Sequence, residues 1–357
     1  MDKVLVTGAA GFIGQHTVRL LLSRGYRVRA TDLPGSSLSE AHEKGAEVAY
    51  GDLMDYRFAL CAAEGVGAVV HTAAAFDLSL PREHLIATNI RTTTNMATAA
   101  AACGASMFVH YSTCDVFGTK RRVPIMEDEP KQPQCAYSRS KLLSEFSALG
   151  VMRKYGMPVA VVRPTFVYGP GSVYTAGSFM ILPTLLARRT GQVPLPAGGP
   201  RTNTIHVEDM ASATLAVLES GERSAGVSYN VADDSDMTAC EFLKLIFEPF
   251  GVGCSREIRV PWSAVEVVAR SASRLPLPLY GALARILERA WDMIIFENEL
   301  IPRLSPRFDR EFSRFIYGEH LYSNARIKSL GWEPSRPTFA DGWPATVRWY
   351  RENRYIP

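Results

Sequence analysis

Val4-Leu5-Val6 make a short apolar run with β-branched members, closed by a glycine. That pattern predicts a buried strand. Phe12, Ile13, Val18, Leu21 and Leu22 then recur at helical spacing, and Gly25 marks the helix end. The alternation repeats: Tyr26–Thr31, Glu47–Tyr50, Ala68–His71 and Met107–Tyr111 predict further strands. The Ala- and Thr-rich run from Thr88 to Ala102 predicts a helix packed on a sheet. Leu142, Phe146 and Leu149 give the apolar side of another helix. Strands alternating with helices through about residue 165 predict an α/β fold, a doubly wound parallel Rossmann sheet. Met210–Leu218 predicts a helix and Ser228–Val231 a strand returning to that sheet. The expected division is a dinucleotide-binding domain at 1–167, rejoined by 205–232. A smaller, mostly helical C-terminal substrate lobe takes 168–204 and 233–357.

Composition narrows the class. The 357 residues are 47% hydrophobic and 21% charged, as in a globular protein with a sizeable core. A net charge of +3 gives no case for nucleic acid. The first strand begins almost at once, so no signal peptide and a cytoplasmic location are expected. Cys61, Cys103, Cys114, Cys135, Cys240 and Cys254 are scattered with no CxxC pair, so free thiols are expected and no metal site.

The first turn carries chemistry. Gly8, Gly11 and Gly14 follow the first strand at the spacing GxxGxxG, directly before the first helix. Glycine lets the backbone bend sharply and approach a pyrophosphate. The helix start at Phe12 and Ile13 then presents free N–H groups and the positive end of its dipole. Asp32 ends the second strand, where an acidic residue accepts hydrogen bonds from the adenosine ribose. Its charge would repel a 2′-phosphate, and no Arg or Lys stands at Leu33, Pro34 or Gly35 to neutralise one. NAD is therefore favoured over NADP. Asp52 is placed to bond the adenine amino group, with Leu53 covering the ring. Thr72, Ala73 and Ala74 are small enough to let a cofactor lie against a strand end. His71 reads as a packed residue, not a catalyst. Asn89, if buried, needs partners, and can hold a water or a backbone carbonyl near the site.

Tyr137 and Lys141 stand four apart, on one face of the predicted helix. An ammonium beside a phenol stabilises the phenolate and is expected to lower the tyrosine pKa. The tyrosine can then exchange a proton with an alcohol or ketone. Thr113, at the end of the neighbouring strand, offers a hydroxyl for the substrate oxygen.

These residues together resemble an extended short-chain dehydrogenase/reductase of the NAD-dependent epimerase/dehydratase superfamily. The resemblance rests on TGAAGFIG, Asp32, GDL at 51–53, HTAA at 71–74, the segment from Ser112 to Gly118 and YSRSK at 137–141. It continues in RPTFVYGPG at 163–171, in HVED at 206–209 and in LGWEP at 330–334. It implies Tyr137 as acid/base, Lys141 as its partner on the nicotinamide ribose, Thr113 as substrate-oxygen donor and Asn89 as the superfamily's helix asparagine. It adds Ser112, Arg163-Pro164 and Val167 near the nicotinamide, and a homodimer paired through helices flanking the sheet.

The substrate is less constrained. Thr113-Cys114-Asp115 does not reproduce the Asp-Glu pair that follows the Thr in nucleotide-sugar 4,6-dehydratases. The stretch between Gly253 and Tyr322 is long and apolar: Val260-Pro261-Trp262, Val265, Val267, Val268, the run from Leu275 to Tyr280, Leu283, Ile286, Leu287, Trp291 and Met293–Phe296. It resembles the C-terminal region of the 3β-hydroxysteroid dehydrogenase branch, which implies a steroid-like or terpenoid-like alcohol. The same residues also fit a helix core or a dimer contact. Arg201 keeps a nucleotide-sugar epimerase open, since a guanidinium grips a diphosphate; a non-catalytic NAD sensor is the remaining alternative. Glu266, Arg270, Arg274, Arg285, Glu288, Arg289 and Asp292 interrupt the apolar stretch, so no membrane span is expected. A helix lying on a bilayer surface stays open.

Overall fold

The computed structural model describes residues 3–76, 82–181, 185, 191–272, 277–305 and 318–357. Strands β1 (Lys3–Thr7), β2 (Arg27–Asp32), β3 (Glu47–Tyr50), β4 (Ala68–His71), β5 (Met107–Tyr111) and β6 (Val159–Pro164) alternate with five helices. These are α1 (Phe12–Ser23), α2 (Ser39–Glu43), α3 (Tyr56–Ala63), α4 (Arg82–Ala102) and α5 (Ala136–Tyr155). The chain continues through β7 (Phe166–Tyr168), a π-helical stretch (Val173–Ile181), β8 (Gln192–Pro196), β9 (Arg201–Thr202), β10 (Thr204–His206), α6 (Val207–Ser220) and β11 (Ser228–Val231). It ends with β12 (Met237–Thr238), α7 (Ala239–Phe247), β13 (Gly253–Ile258), α8 (Trp262–Ala272), α9 (Leu277–Glu297), α10 (Ala325–Lys328) and α11 (Phe339–Glu352).

Seven strands form one parallel sheet in the order β11-β6-β5-β4-β1-β2-β3. The chain winds outward through β2 and β3 on one side of β1, then restarts at β4 on the other. That reversal opens a crevice at the carboxyl ends of β1 and β4, where such sheets bind ligands. Every residue of β5 and β6 is buried. Helices cover both faces of a parallel sheet, so these strands are apolar almost throughout rather than alternating. Ala97, Ala99 and Ala100 of α4 are fully buried, and their small side chains let this helix lie close to its neighbours.

The C-terminal segment is bound back to the sheet domain. Trp332 of LGWEP lies in the sheet's own core, and its indole donates to Ser212 Oγ at 2.8 Å. Buried Asp209, from HVED, accepts from the backbone N–H groups of Ser335 and Arg336. The two motifs thus close one joint. A second core lies in the lobe, where Trp343 stacks on Phe339 and Tyr168 meets both rings. Tyr350 donates to Ser172 O at 2.7 Å and ties α11 to the loop after β7.

The apolar stretch of the lobe divides between core and surface. Trp291 is buried and donates to Leu304 O, and Trp262 donates to Ala197 O. Val267, Val268, Ile286, Met293 and Phe296 are exposed, Phe296 by 86%. α8 and α9 thus each turn an apolar side outward, while Ile294 and Ile295 pack with Trp291 in the lobe's core. Leu275 and Pro276 lie outside the described residues. No described helix is long and apolar enough to cross a membrane.

Candidate active site

The glycine turn sits at the switch point. Gly8 has φ +66°, and a Cβ there would stand 2.7 Å from the Ala73 nitrogen. A Cβ on Gly14 would stand 2.1 Å from the Gly8 carbonyl oxygen, so α1 can pack against the turn only through glycine. Gly11 donates to Gly8 O at 3.0 Å and caps α1 without a side-chain bond. The first N–H groups of α1, at Phe12 and Ile13, are thus left for an anion. Asp32 receives Ala10 N at 2.9 Å, Leu33 N at 2.8 Å and Ser36 Oγ at 3.1 Å. Its carboxylate therefore holds the glycine turn from the end of β2.

Other expected contacts have structural duties. Thr72 donates its hydroxyl to Thr7 O at 2.6 Å, which joins the ends of β4 and β1. Ala73 lies under Gly8, and Ala74 is exposed beside it. Asp52 accepts from Met54 N at 2.8 Å within its own turn. Leu53 is buried in the core with Ala59 and Met96, so its side chain is a packing residue and not an open cover for a ring. Val167 is likewise buried, paired with Ile205 across β7 and β10. His71 is buried between Thr7 and Thr93 and held neutral, its pKa pushed down to about 3 by burial.

Helix α5 starts beside the crevice and carries Tyr137 and Lys141. Asn89 of α4 is fully engaged. Its side chain accepts from Ala75 N at 2.7 Å and donates to Ala75 O at 3.1 Å and to Ser140 Oγ at 2.8 Å. It therefore locks the loop after β4 against α5. Thr113 Oγ1 accepts from Asp115 N at 3.2 Å, which leaves its own proton to donate. Cys114 is buried, donates its thiol to Arg163 O at 3.0 Å and is kept neutral by burial.

One expectation is corrected by packing. The Tyr137 pKa is pushed up, not down: burial dominates, and the charges of Asp115 and Cys135 add to it. Burial also pushes the Lys141 ammonium down, to about 8, against the pull of Glu145. The Arg163 side chain pairs with Glu145 of α5 at 2.7 Å and is turned into the core. The neighbouring Pro164 is buried at the end of β6. Arg201 forms an ion pair with Asp236, so its charge is already met.

The structure adds residues that spacing did not single out. Phe76 meets Tyr137 edge to face, and Tyr174 of the π-helical stretch meets Phe76 in the same way at 4.9 Å. Arg303 of the lobe lines a cleft of about 450 Å³ together with Ala9, Ala10, Ser36, Ser37 and Lys44, beside the Asp32 end of the crevice. Ser112 Oγ and Thr165 Oγ1, at the carboxyl ends of β5 and β6, are buried without a hydrogen-bond partner among the described residues. Buried polar atoms left unpaired point to a polar ligand. With the uncapped helix start, the Cβ-free cradle at Gly8 and the carboxylate of Asp32, they fit a dinucleotide.

Comparison with known proteins agrees. The family model described as NAD dependent epimerase/dehydratase family matches residues 4–232. A dTDP-glucose 4,6-dehydratase of Streptomyces niveus is 30% identical over 379 residues, covering 99% of this chain and 94% of that one. Sterol demethylase protein B of Methylococcus capsulatus is 27% identical over 361 residues, covering 99% of both chains. The structure of DesIV, a dTDP-glucose 4,6-dehydratase of Streptomyces venezuelae with NAD bound, matches at TM-score 0.71 and 25% identity, covering 99% of this chain and 98% of that one. The chain belongs to the NAD-dependent epimerase/dehydratase family, and NAD is its cofactor.

Proposed function

We propose that the protein interconverts a secondary alcohol and a ketone on a hydrophobic, steroid-like or terpenoid-like molecule, as a member of the 3β-hydroxysteroid dehydrogenase-like branch. The observation that carries this reading is the chain of rings Tyr137–Phe76–Tyr174. Phe76 against the phenol, and Tyr174 against Phe76, put an aromatic wall beside the proton-handling group. The likeness to sterol demethylase protein B over nearly all of both chains supports the same substrate class. The domain division set out from the sequence and a homodimer belong to this reading.

The chain's own groups have distinct tasks. The first N–H groups of α1 bind the pyrophosphate, Asp32 the adenosine ribose, and Ser112 and Thr165 polar groups near the nicotinamide. NAD, when bound, supplies the hydride acceptor. Thr113 donates its free proton to the substrate oxygen and fixes it. Tyr137, as phenolate, takes the hydroxyl proton as the C–H bond breaks. Burial opposes that phenolate, so a cation is needed close by, and Lys141 one turn further along α5 is that cation. Cys114, neutral and bonded to a carbonyl, supplies no acid for loss of water, which weighs against a dehydratase.

A nucleotide-sugar epimerase is the second reading, favoured by the family match and by the dehydratase relative. The Arg201–Asp236 pair is solvent-exposed and weak, so the guanidinium is free to exchange it for a diphosphate under this reading. Absorbance at the NADH band, with NAD and a panel of hydroxysteroids, terpenoid alcohols and nucleotide sugars, decides between them. Net NADH with a lipophilic alcohol is expected. Interconversion of a nucleotide sugar without net NADH would overturn the proposal.

A further inference from the structure

The cleft of about 450 Å³ beside the glycine turn is assembled from segments far apart in the chain. Ala9 and Ala10 of the turn form one side, Ser36 and Ser37 after β2 and Lys44 after α2 form another, and Arg303 of the lobe closes it. The turn side is where a phosphate can approach, since Gly8 and Gly14 carry no Cβ and the start of α1 has no side-chain cap. Asp32 stands at the rim, bonded to Ala10 N at 2.9 Å and to Ser36 Oγ at 3.1 Å. The charges here do not cancel. Arg19, Lys44 and Arg303 line the cleft with Glu40. Arg19 takes both oxygens of Glu40, with Nε at 2.6 Å and Nη2 at 2.5 Å, and Lys44 Nζ stands 4.0 Å from the same carboxylate. With Asp32 at the rim, three cations meet two anions, and both carboxylates are already engaged before Arg303 adds its charge.

Arg303 is delivered by an anchored segment. Leu304, the next residue, is 3% exposed, and its carbonyl accepts from Trp291 Nε1 at 2.7 Å. A Cβ on Gly177 of the π-helical stretch would stand 2.7 Å from Leu304 Cδ2, so the leucine is seated directly against that stretch. On the other side, Ile301 N donates to Arg354 O at 2.8 Å. The chain is thus pinned before and after residue 303, while the Arg303 side chain itself stays exposed. A guanidinium presented from a fixed backbone suits a phosphate, because its planar fork can donate to two oxygens at once.

We propose that Arg303 is a cofactor-binding residue supplied by the lobe, whose guanidinium takes a phosphate group of the ADP half of the dinucleotide, with Lys44 and the hydroxyls of Ser36 and Ser37 beside it. The cation missing at Leu33, Pro34 and Gly35 is thus provided by a distant segment. The same contact ties the lobe to the sheet domain when the cofactor is bound, one residue from the seat of Leu304 on the stretch that carries Tyr174. Two phosphates fit this chemistry: the pyrophosphate that NAD and NADP share, and the 2′-phosphate that NADP alone carries. The inference needs cofactor binding and does not rest on the substrate reading.

The test is calorimetric titration of the wild type and Arg303→Ala with NAD, NADP and ADP, each at low and at high salt. At low salt the variant is expected to bind about tenfold or more weakly, the scale of hydrogen bonds to a charged group. A loss shared by all three ligands assigns Arg303 to the pyrophosphate, and a loss confined to NADP assigns it to the 2′-phosphate. In both cases the gap between wild type and variant is expected to shrink at high salt, because an exposed contact between charges is screened. Arg303 is exposed, so the urea midpoint of the variant is expected to stay at the wild-type value. Unchanged affinity for all three ligands overturns the proposal. A loss of the same size at low and high salt overturns it too, since that marks a disturbed lobe and not a missing charge. Absence of NADH with every alcohol would instead overturn the substrate reading and leave these titrations standing.

Discussion

Phe76 meets Tyr137 edge to face, with ring centroids 4.7 Å apart and the planes at 82°. Phe76 is 42% exposed, so the ring that touches the phenol also reaches solvent. If an apolar substrate rests there, Phe76→Ala removes its contact surface and leaves the proton chemistry in place. The expected result is KM for a lipophilic alcohol raised about tenfold, on the order of 1.5 kcal/mol of burial, with a smaller change in kcat. Steady-state NADH formation measures both constants, and an unchanged KM would remove Phe76 from the substrate wall.

Tyr137→Phe keeps the ring and its contact with Phe76 but removes the hydroxyl. Turnover is expected to fall by about 10²-fold or more, the usual scale of general acid–base catalysis. NAD affinity by calorimetry is expected to change little, since the glycine turn, α1 and Asp32 are untouched. Turnover near the wild-type rate would rule out Tyr137 as the acid/base.

Gly14→Ala places a Cβ 2.1 Å from the Gly8 carbonyl oxygen, where backbone and not a flexible side chain must yield. The displaced turn is expected to weaken NAD binding by at least about tenfold. Overpacking of this kind costs about 1–3 kcal/mol of stability. Calorimetry with NAD and urea unfolding test the two effects separately, and intact binding would mean that the turn does not form the phosphate site.

Asp32→Ala removes the acceptor of Ala10 N, Leu33 N and Ser36 Oγ together with the charge that repels a 2′-phosphate. NAD affinity is expected to drop and the preference for NAD over NADP to narrow. Paired titrations with the two cofactors read the ratio, which would stay constant if Asp32 only shaped the turn.

Acid stability follows from the buried histidines. The pKa values of His71 and His206 are each lowered from 6.5 to about 3, burial being the main cause in both. The unfolded chain takes up those protons near pH 6.5 and the folded chain does not. Their stabilising contribution is therefore complete above about pH 6.5 and is lost as pH falls from there towards 3. Urea unfolding is expected to lose on the order of a few kcal/mol between pH 6.5 and 4, with a shallower loss in His71→Leu. A wild-type profile flat over that range would contradict the burial argument.

Much of this architecture was legible in the order of residues. The strand, glycine turn and helix are local features, and their periods and spacings are written along the chain. So is the four-residue step from Tyr137 to Lys141, because any helix brings those positions to one face. Gly8 and Gly14 could be read as close-approach positions without knowing that Ala73 and the Gly8 carbonyl are what they approach.

Packing decided the rest. Arg163 sits in a motif whose next residue ends β6, and its side chain reaches Glu145, eighteen positions earlier in the chain, a partner that no local spacing names. The Tyr137 phenol was expected to be lowered by its lysine. Burial raised it instead, because desolvation depends on everything packed around the ring and not on the nearest charge in sequence. The apolar residues of α8 and α9 were identifiable as apolar, yet whether they faced a core, a pocket or the surface depended on where the helices settled. Arg201 met Asp236, and Phe76 met Tyr174, through contacts that only the folded chain creates. The sequence by itself determined the elements, the cofactor turn and the helix face that bears the candidate chemistry, because those follow from local periodicity and steric rules. The tertiary structure alone decided which charges are paired, which groups lose their water and which aromatic rings meet, because burial and long-range contact are properties of the packed whole.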